Sequence, residues 1–574
     1  MSEADSVVAR VLPERSSVGA TAAITRAFSA AAESNPLSVA AIVLVALLCF
    51  LPGFFTIPPI DRDEPNFSNA SRTMYETGNL IDIRIQDQPR SKKPVGIYWL
   101  QAATVALTGA GSDAPIWIFR LPSLLGAIAA AVLTWWMALA FGRRRPALLA
   151  GLFMAASVLL SVEARLAKTD AVLLATVVLA QGSLLRLWLG RNPERARLYQ
   201  GLFWTAIAAG ILVKGPITPG IAGLTIIGLS LFAGSFAWVK RLAPLGGILL
   251  VAVLVAPWLI AITISSEGAF WQESLGRDLL GKIAAGRDTH GAPPGYFLAF
   301  TLVTFWPALP FLVLSLSRHL DQLRQPHVLF ALCWVVPFWL ICEAVPTKLP
   351  HYVLPAFPAL ALLAATAVED ASLRLDGGVH RFFAFAPVGV PATAAVVLTA
   401  LFFHVEGRVH LDTVVLFALA TAIGAVAWWL LTRRREFLPA AVVSLGAAFF
   451  AEAALFGTLA PNFTELQVSS RIVAAARQVA GCDRPALAAS GFIEPSLLFL
   501  AGSDALLGGG SDAADFMAKP GCRVAAVEAE TSADFLSRAA DLGFEVVART
   551  KVAGTNLSNG DRVNVTLYTR RSGP

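Results

Sequence analysis

The stretch NPLSVAAIVLVALLCFLPGFFTIPPI, Asn35 to Ile60, contains no Asp, Glu, Lys or Arg. An uncharged apolar run of about 18 residues or more is long enough to cross a hydrocarbon core about 30 Å thick. Leu121 to Gly142 and Gly215 to Val239 repeat the pattern. Hydrophobic residues make up 56% of the 574-residue chain and charged residues 15%, against about 25% charged in soluble globular chains. A soluble core of this length needs more polar surface than the chain supplies. The sequence is that of a polytopic membrane protein.

Upstream of the first run, residues 1–35 are polar and include Arg10, Arg15 and Arg26. The run is too long for a signal peptide and lacks a small-residue cleavage site, so it reads as an uncleaved first helix. Downstream, hydropathy predicts about thirteen helices, near 36–58, 117–142, 146–162, 170–189, 199–213, 216–238, 242–264, 295–317, 327–345, 351–368, 382–403, 413–432 and 437–459. Alternate loops hold Arg143 to Arg145, Arg191 to Arg197, Lys240-Arg241, Arg318 to Arg324, Arg374 to Arg381 and Arg433 to Arg435. Positive-inside asymmetry makes that side cytoplasmic, together with the basic N-terminus. An odd number of spans then places the C-terminus outside. The net charge of +6 belongs to these loops and gives no reason to expect a nucleic-acid partner. Composition divides the chain into a cytoplasmic segment 1–35, a transmembrane domain 36–460 and an external tail 461–574. The tail reads as a small α/β domain, with strands near 486–489, 524–527, 545–552 and 563–568 and helices near 495–501 and 533–542. Asn559-Gly560 is a hairpin signal. Of the five cysteines, Cys49, Cys333 and Cys342 lie in apolar segments. Cys482 and Cys522 are either a disulfide, as an oxidising compartment permits, or two unrelated buried thiols.

The outer face has a different character. It holds a long first loop, 59–116, with interfacial helices, a second loop, 265–294, and short turns between helices. Its charges sit in compact strings: Asp63-Glu64-Pro65, Lys92-Lys93-Pro94, Arg165 to Asp170, Lys214-Gly215-Pro216 and Lys348-Leu349-Pro350-His351. Orientation does not call for lysines at helix ends on this side, and ionisable groups at such depths pair with one another or face an aqueous cavity. Asp63 either caps a helix through its amides or takes a proton from an acceptor hydroxyl. Lys92 and Lys93 either snorkel to lipid phosphate or contact the phosphate of a lipid-bound donor, with Tyr98 and Trp99 at headgroup depth. Lysines without a metal can stabilise a departing phosphate. Metal-binding strings, Walker loops and dinucleotide fingerprints are absent from the sequence, so neither a metal nor a cofactor is expected.

In order along residues 50–360, these strings resemble those of GT-C glycosyltransferases, in particular the branch of aminoarabinose-to-lipid-A transferases and, more distantly, protein O-mannosyltransferases. Asp63-Glu64-Pro65-Asn66-Phe67 resembles the D-E-x-R-Y motif of that branch, and Lys93-Pro94 with Tyr98-Trp99-Leu100 its K-P-P-x-x-Y-W-L. Arg120-Leu121-Pro122-Ser123 resembles R-L-P-S, Lys214-Gly215-Pro216 resembles K-G-P, and Lys348 to Pro355 resembles K-x-P-H-Y-x-L-P. Two departures stand out: Lys92 replaces a frequent Glu, and Asn66-Phe67 replaces Arg-Tyr. The resemblance implies an α-helical GT-C-like membrane fold with a small external α/β domain, located in a bacterial inner membrane with the tail in the periplasm. It implies a glycosyltransferase that uses a polyprenyl-phosphate sugar donor and an acceptor such as lipid A or another envelope glycolipid, with a protein or polysaccharide acceptor as the alternative. A lipid-linked-sugar transporter would instead spread its ionisable groups through the membrane depth. By the same resemblance Asp63 is the catalytic position, and Glu64, Lys93, Arg120, Asp170, Lys214, His290, Lys348, His351 and Tyr352 bind substrate.

Overall fold

The computed structural model describes residues 14–571 except 62, 275, 277–280, 282–291, 371–374 and 376. Helix α1 (Glu14–Glu33) meets α2 (Asn35–Phe50) at a bend of 116°. Ser34 caps α2 there, its hydroxyl accepting from the Leu37 amide, with Pro36 in the first turn. The first loop follows, with α3 (Asp63–Thr77), the two-residue strands β1 (Arg84–Ile85) and β2 (Gln88–Pro89), and α4 (Gly96–Thr108). Next come α5 (Ile116–Ala138), α6 (Arg144–Ala155), α7 (Val158–Ala164), α8 (Asp170–Leu189), α9 (Ala196–Lys214), α10 (Ile217–Ala233) and α11 (Pro244–Ser265).

Among the described residues, nine helices are long and apolar enough to cross a membrane, or eleven when two bent pairs each count as one span. The expectation of about thirteen counts further segments of a different kind. Helix α10 is apolar but has only 17 residues. The stretch expected at 295–317 is two helices, Tyr296–Thr304 and Leu309–Asp321, interrupted at Pro307. The α6–α7 span bends by 57° around Ala156-Ser157.

The interior is built on close helix approaches. A Cβ on Gly126 of α5 would stand 2.9 Å from the Val172 backbone of α8, and small residues at such crossings let helices in a bilayer pack on dispersion alone. The helix Phe357–Val368 is buried along its whole length. By contrast α11 turns Leu245, Leu249 and Ile264 outward, as a lipid-facing helix does.

The tail forms a five-stranded sheet in the order β4-β3-β5-β7-β6, from β3 (Ala486–Ser490), β4 (Leu506–Gly508), β5 (Arg523–Glu528), β6 (Val546–Thr555) and β7 (Arg562–Arg570). Strand β3 runs parallel to β4 and β5, and β7 antiparallel to β5 and β6. The turn between β6 and β7 has Gly560 at φ +83°. Cys482 and Cys522 are bonded to each other. Strand β4 and the helices Val468–Ala480 and Gly510–Ala518 had no clear signal in the sequence.

The tail docks on the first loop through its helix Pro495–Ala501. Asp61 accepts from the Ser496 amide at 2.8 Å and from its hydroxyl at 2.6 Å. Asn69 and Arg72 of α3 donate to the carbonyls of Pro495 and Phe499. Burial pushes the Asp61 carboxyl up to about 6, against the pull of the Ser496 hydrogen bonds. An acid whose docked pKa exceeds its free value binds more protons when docked, so docking strengthens as pH falls through 6 and gains nothing further below about 4. The full effect is at most about 3 kcal/mol. The protection factor of the amides in Pro495–Ala501, exchange corrected for the intrinsic rate at each pH, is expected to rise between pH 7.5 and 5. Asp61→Asn should remove that pH dependence.

Candidate active site

Glu64 is 2% exposed and Arg120 is fully buried. The guanidinium donates from Nε to Glu64 Oε1 at 2.7 Å and from a terminal nitrogen to Oε2 at 2.9 Å. Its remaining donors reach the carbonyls of Phe54, Ile57 and Pro58. Glu64 also accepts from the Ile60 and Ala167 amides. Both residues were expected to bind substrate, but with every polar atom committed inside the protein they form a clamp instead. The clamp ties the end of the first loop's entry, the start of α3 and the loop 165–169 together.

Successive residues on a helix point about 100° apart, so burying Glu64 turns Asp63 outward, and Asp63 is exposed. Asp63 lies close enough to contribute to the field on Lys168. Ser123, three residues beyond Arg120, donates to the Lys168 carbonyl at 3.1 Å. The Arg-Leu-Pro-Ser string therefore holds both sides of the site. Arg165 anchors the same loop from below, donating to the carbonyls of Cys49, Pro52 and Ser161.

Lys168 is the centre of a side-chain cluster. Its Nζ stands 3.0 Å from Glu163 Oε1, 3.7 Å from Asp170 Oδ2 and 3.3 Å from His351 Nδ1. Burial works against the charge, but Glu163 and Asp170 outweigh it and hold the ammonium above its ordinary range. His351 stands against the middle of the cluster, with Nδ1 beside Lys168 Nζ and Nε2 3.8 Å from Asp170 Oδ1. Asp170 accepts from Lys214 Nζ at 2.6 Å. An ammonium has three donors, so Lys214, with its side chain 15% exposed, keeps N–H groups for a ligand. The Tyr352 ring faces Lys214, 6.0 Å from the nitrogen to the centroid. Gly96, three residues past Lys93, packs against the end of α9: a Cβ there would meet the Leu212 carbonyl at 2.8 Å, so only glycine fits this approach.

The structure therefore brings Asp63, Asp170, Lys214, His351 and Tyr352 to one end of the bundle. Lys348 departs from expectation. Its ammonium donates to the carbonyls of Glu343 and Val345 at 2.6 and 3.2 Å and lies 3.5 Å from Glu343 Oε2, so it caps the helix Pro326–Ala344 instead of pointing to an open site. Tyr98, expected at headgroup depth, is buried against Phe67, and the Trp99 indole donates to the Leu80 carbonyl. His290 lies outside the described residues. Sequence reading missed Glu163 and Lys168. Among the described residues, no His, Cys, Asp and Glu group has the geometry to hold a metal ion.

Residues 92–260 match the family model of dolichyl-phosphate-mannose-protein mannosyltransferases. An undecaprenyl phosphate-alpha-4-amino-4-deoxy-L-arabinose arabinosyl transferase of Pectobacterium carotovorum is 28% identical over 404 residues, 68% of this chain and 71% of its own. The enzyme of the same description from Edwardsiella ictaluri is 27% identical over 438 residues, 72% of this chain and 74% of its own. The crystal structure of ArnT from Cupriavidus metallidurans bound to undecaprenyl phosphate superposes with a TM-score of 0.72 at 20% identity, covering 92% of this chain and 97% of that one. The chain is a multi-pass membrane glycosyltransferase of the GT-C fold. It resembles the aminoarabinose-transferase branch of that fold more fully than the mannosyltransferases, whose model spans only the part from the Lys-Pro turn to α11.

In this glycosyltransferase, Arg120→Leu strands a buried carboxylate, a change that typically costs about 3–5 kcal/mol. The variant is expected to lose that much stability in detergent unfolding, and Glu64→Gln in the same background should recover part of it. An unchanged melting temperature for Arg120→Leu would show that the clamp is not holding the loops.

Proposed function

We propose that the protein moves a sugar from a polyprenyl-phosphate donor to lipid A or a related cell-envelope glycolipid, at the periplasmic face of a bacterial inner membrane. The observation that carries this reading is the meeting of Asp63 with the Glu163–Lys168–Asp170–Lys214–His351 cluster at one end of the bundle. The printed names of the relatives support an aminopentose such as 4-amino-4-deoxy-arabinose as the sugar and undecaprenyl phosphate as its carrier. The side follows from the basic loops, which share the cytoplasmic face with the N-terminus and leave this cluster and the tail outside.

In this reading the acceptor oxygen attacks C1 of the sugar while the bond from C1 to the carrier phosphate breaks, and the phosphate leaves with the electron pair. Asp63 takes the proton of an acceptor hydroxyl or, where the acceptor is an ionised phosphate, positions it or the donor amine. Lys93 and Lys214 hold the departing phosphate, where fixed cations in a site of low dielectric stabilise developing charge. Lys168 is a positioning residue: it fixes Asp170 and His351, and Asp170 fixes Lys214. The match to the mannosyltransferase model favours a protein as the second acceptor to test. Transport is disfavoured because the ionisable groups gather at one surface instead of at the midplane.

Turnover of purified polyprenyl-phosphate sugars in detergent tests the roles. Asp63→Asn is expected to lower kcat by about 10²–10⁴-fold, the span of general acid–base catalysis, with donor KM little changed. Lys214→Ala should raise donor KM as well as lower kcat. Normal transfer by folded variants would remove both assignments, and lipid mass spectrometry of cells lacking the protein identifies the acceptor that loses its sugar.

A further inference from the structure

A cavity of about 440 Å³ lies between the first loop and the tail, away from the lysine cluster. Three arginines from separate elements line it: Arg72 of α3, Arg477 of the helix Val468–Ala480, and Arg484, two residues past the disulfide. Asp113 is the one carboxylate in the lining. Arg72 is 5% exposed, and its Nε has no hydrogen-bond partner among the described residues. Its other end donates to the Phe499 carbonyl and stacks on the Phe499 ring, 4.3 Å from the centroid. Burial depresses the Arg72 charge more than Glu76 and Asp113 restore it. Arg484 pairs with Asp113 at 2.5 Å. Arg477 is exposed and makes no ion pair among the described residues. The lining thus has three guanidiniums to one carboxylate, an excess of positive charge.

The rest of the wall is apolar, with Phe55, Ile57, Ile116 and Leu500. Ile116 is the first residue of a membrane span, and Phe55 is exposed with its ring 5.5 Å from that of Trp117. The opening therefore lies at the level where a span begins. A volume of this size falls in the ordinary range of small-molecule pockets and exceeds what a lone phosphate fills.

We propose that this cavity binds the phosphate headgroup of a membrane amphiphile, with Arg72, Arg477 and Arg484 on the phosphate and the Phe55–Ile116 side against the first carbons of its chains. Planar guanidiniums are suited to bidentate contact with phosphate oxygens. The same wall includes Ile57 and Pro58, whose carbonyls accept from Arg120, so an occupied cavity braces the turn that presents Asp63. The inference extends the transferase reading but does not require it, because binding here needs no sugar donor.

The test uses the full chain in detergent micelles, titrated separately with dioleoyl phosphatidic acid, purified lipid A, dioleoyl phosphatidylcholine and inorganic phosphate. Arg72 is buried and its loss can unfold the chain, so the variants are the surface changes Arg477→Gln and Arg484→Gln, with unchanged thermal unfolding as the control for folding. Phosphatidic acid or lipid A should bind the wild type, each variant should bind it about tenfold more weakly, and the tighter of the two lipids names the source. Phosphatidylcholine should bind far more weakly because its cationic headgroup meets the arginines. Three results would overturn the proposal: equal binding by the double variant and wild type, equal binding of phosphatidylcholine, or inorganic phosphate binding as tightly as the lipids.

Discussion

The end of the bundle that carries the charged cluster depends on one buried ion pair, Glu64 with Arg120. Removing both charges from water costs several kcal/mol per ion, and such pairs often add little net stability. What this pair does is restrict geometry. Because Arg120 uses all its donors on a single carboxylate and three carbonyls, the turn Phe54–Pro58 and the first turn of α3 have one relative arrangement. The Ala167 amide on Glu64 Oε1 brings the loop that carries Lys168 into the same arrangement. Asp63 is adjacent to the clamp in sequence and so has no freedom to face elsewhere.

Around that fixed point the charges alternate: Glu163, Lys168, Asp170 and Lys214 form a chain of contacts with His351 against its middle. In a water-poor site an unpaired lysine would shed its proton, whereas paired ones stay charged. In the proposed reaction, Lys214 of this chain of contacts is the cation that meets the phosphate. The tail adds a second constraint on the same turn, since Asp61, two residues from Asp63, is held by Ser496. The C-terminal domain is therefore a fixed wall beside the site, in place of a separate appendage.

Much of this was legible in the chain. Charge-free runs located most of the helices, because that signal is local and set by the bilayer. The strings at Asp63 and Lys214 pointed to the end of the bundle where the charged cluster lies. Their individual roles were less legible. A lysine beside prolines at a helix end reads the same whether it pairs with an acid of the cluster, as Lys214 does with Asp170, or caps its own helix, as Lys348 does. Glu64 and Arg120 look like site residues until their partners are seen. Glu163 closes an apolar run and Lys168 stands between two charged neighbours in the Arg165–Asp170 string, so neither stood out, although a carboxylate at that depth is a functional signal by default. The contact between Asp61 and Ser496 joins residues 435 positions apart, which no local pattern encodes.

The most direct test of the account is a cryo-electron microscopy structure of the full chain in lipid nanodiscs with a polyprenyl phosphate bound. The account predicts phosphate density within hydrogen-bonding distance of Lys214 and beside Lys93, on the side of the clamp that Asp63 faces. A phosphate held at the opposite membrane surface, or on this surface with Lys214 still turned wholly to Asp170, would contradict it.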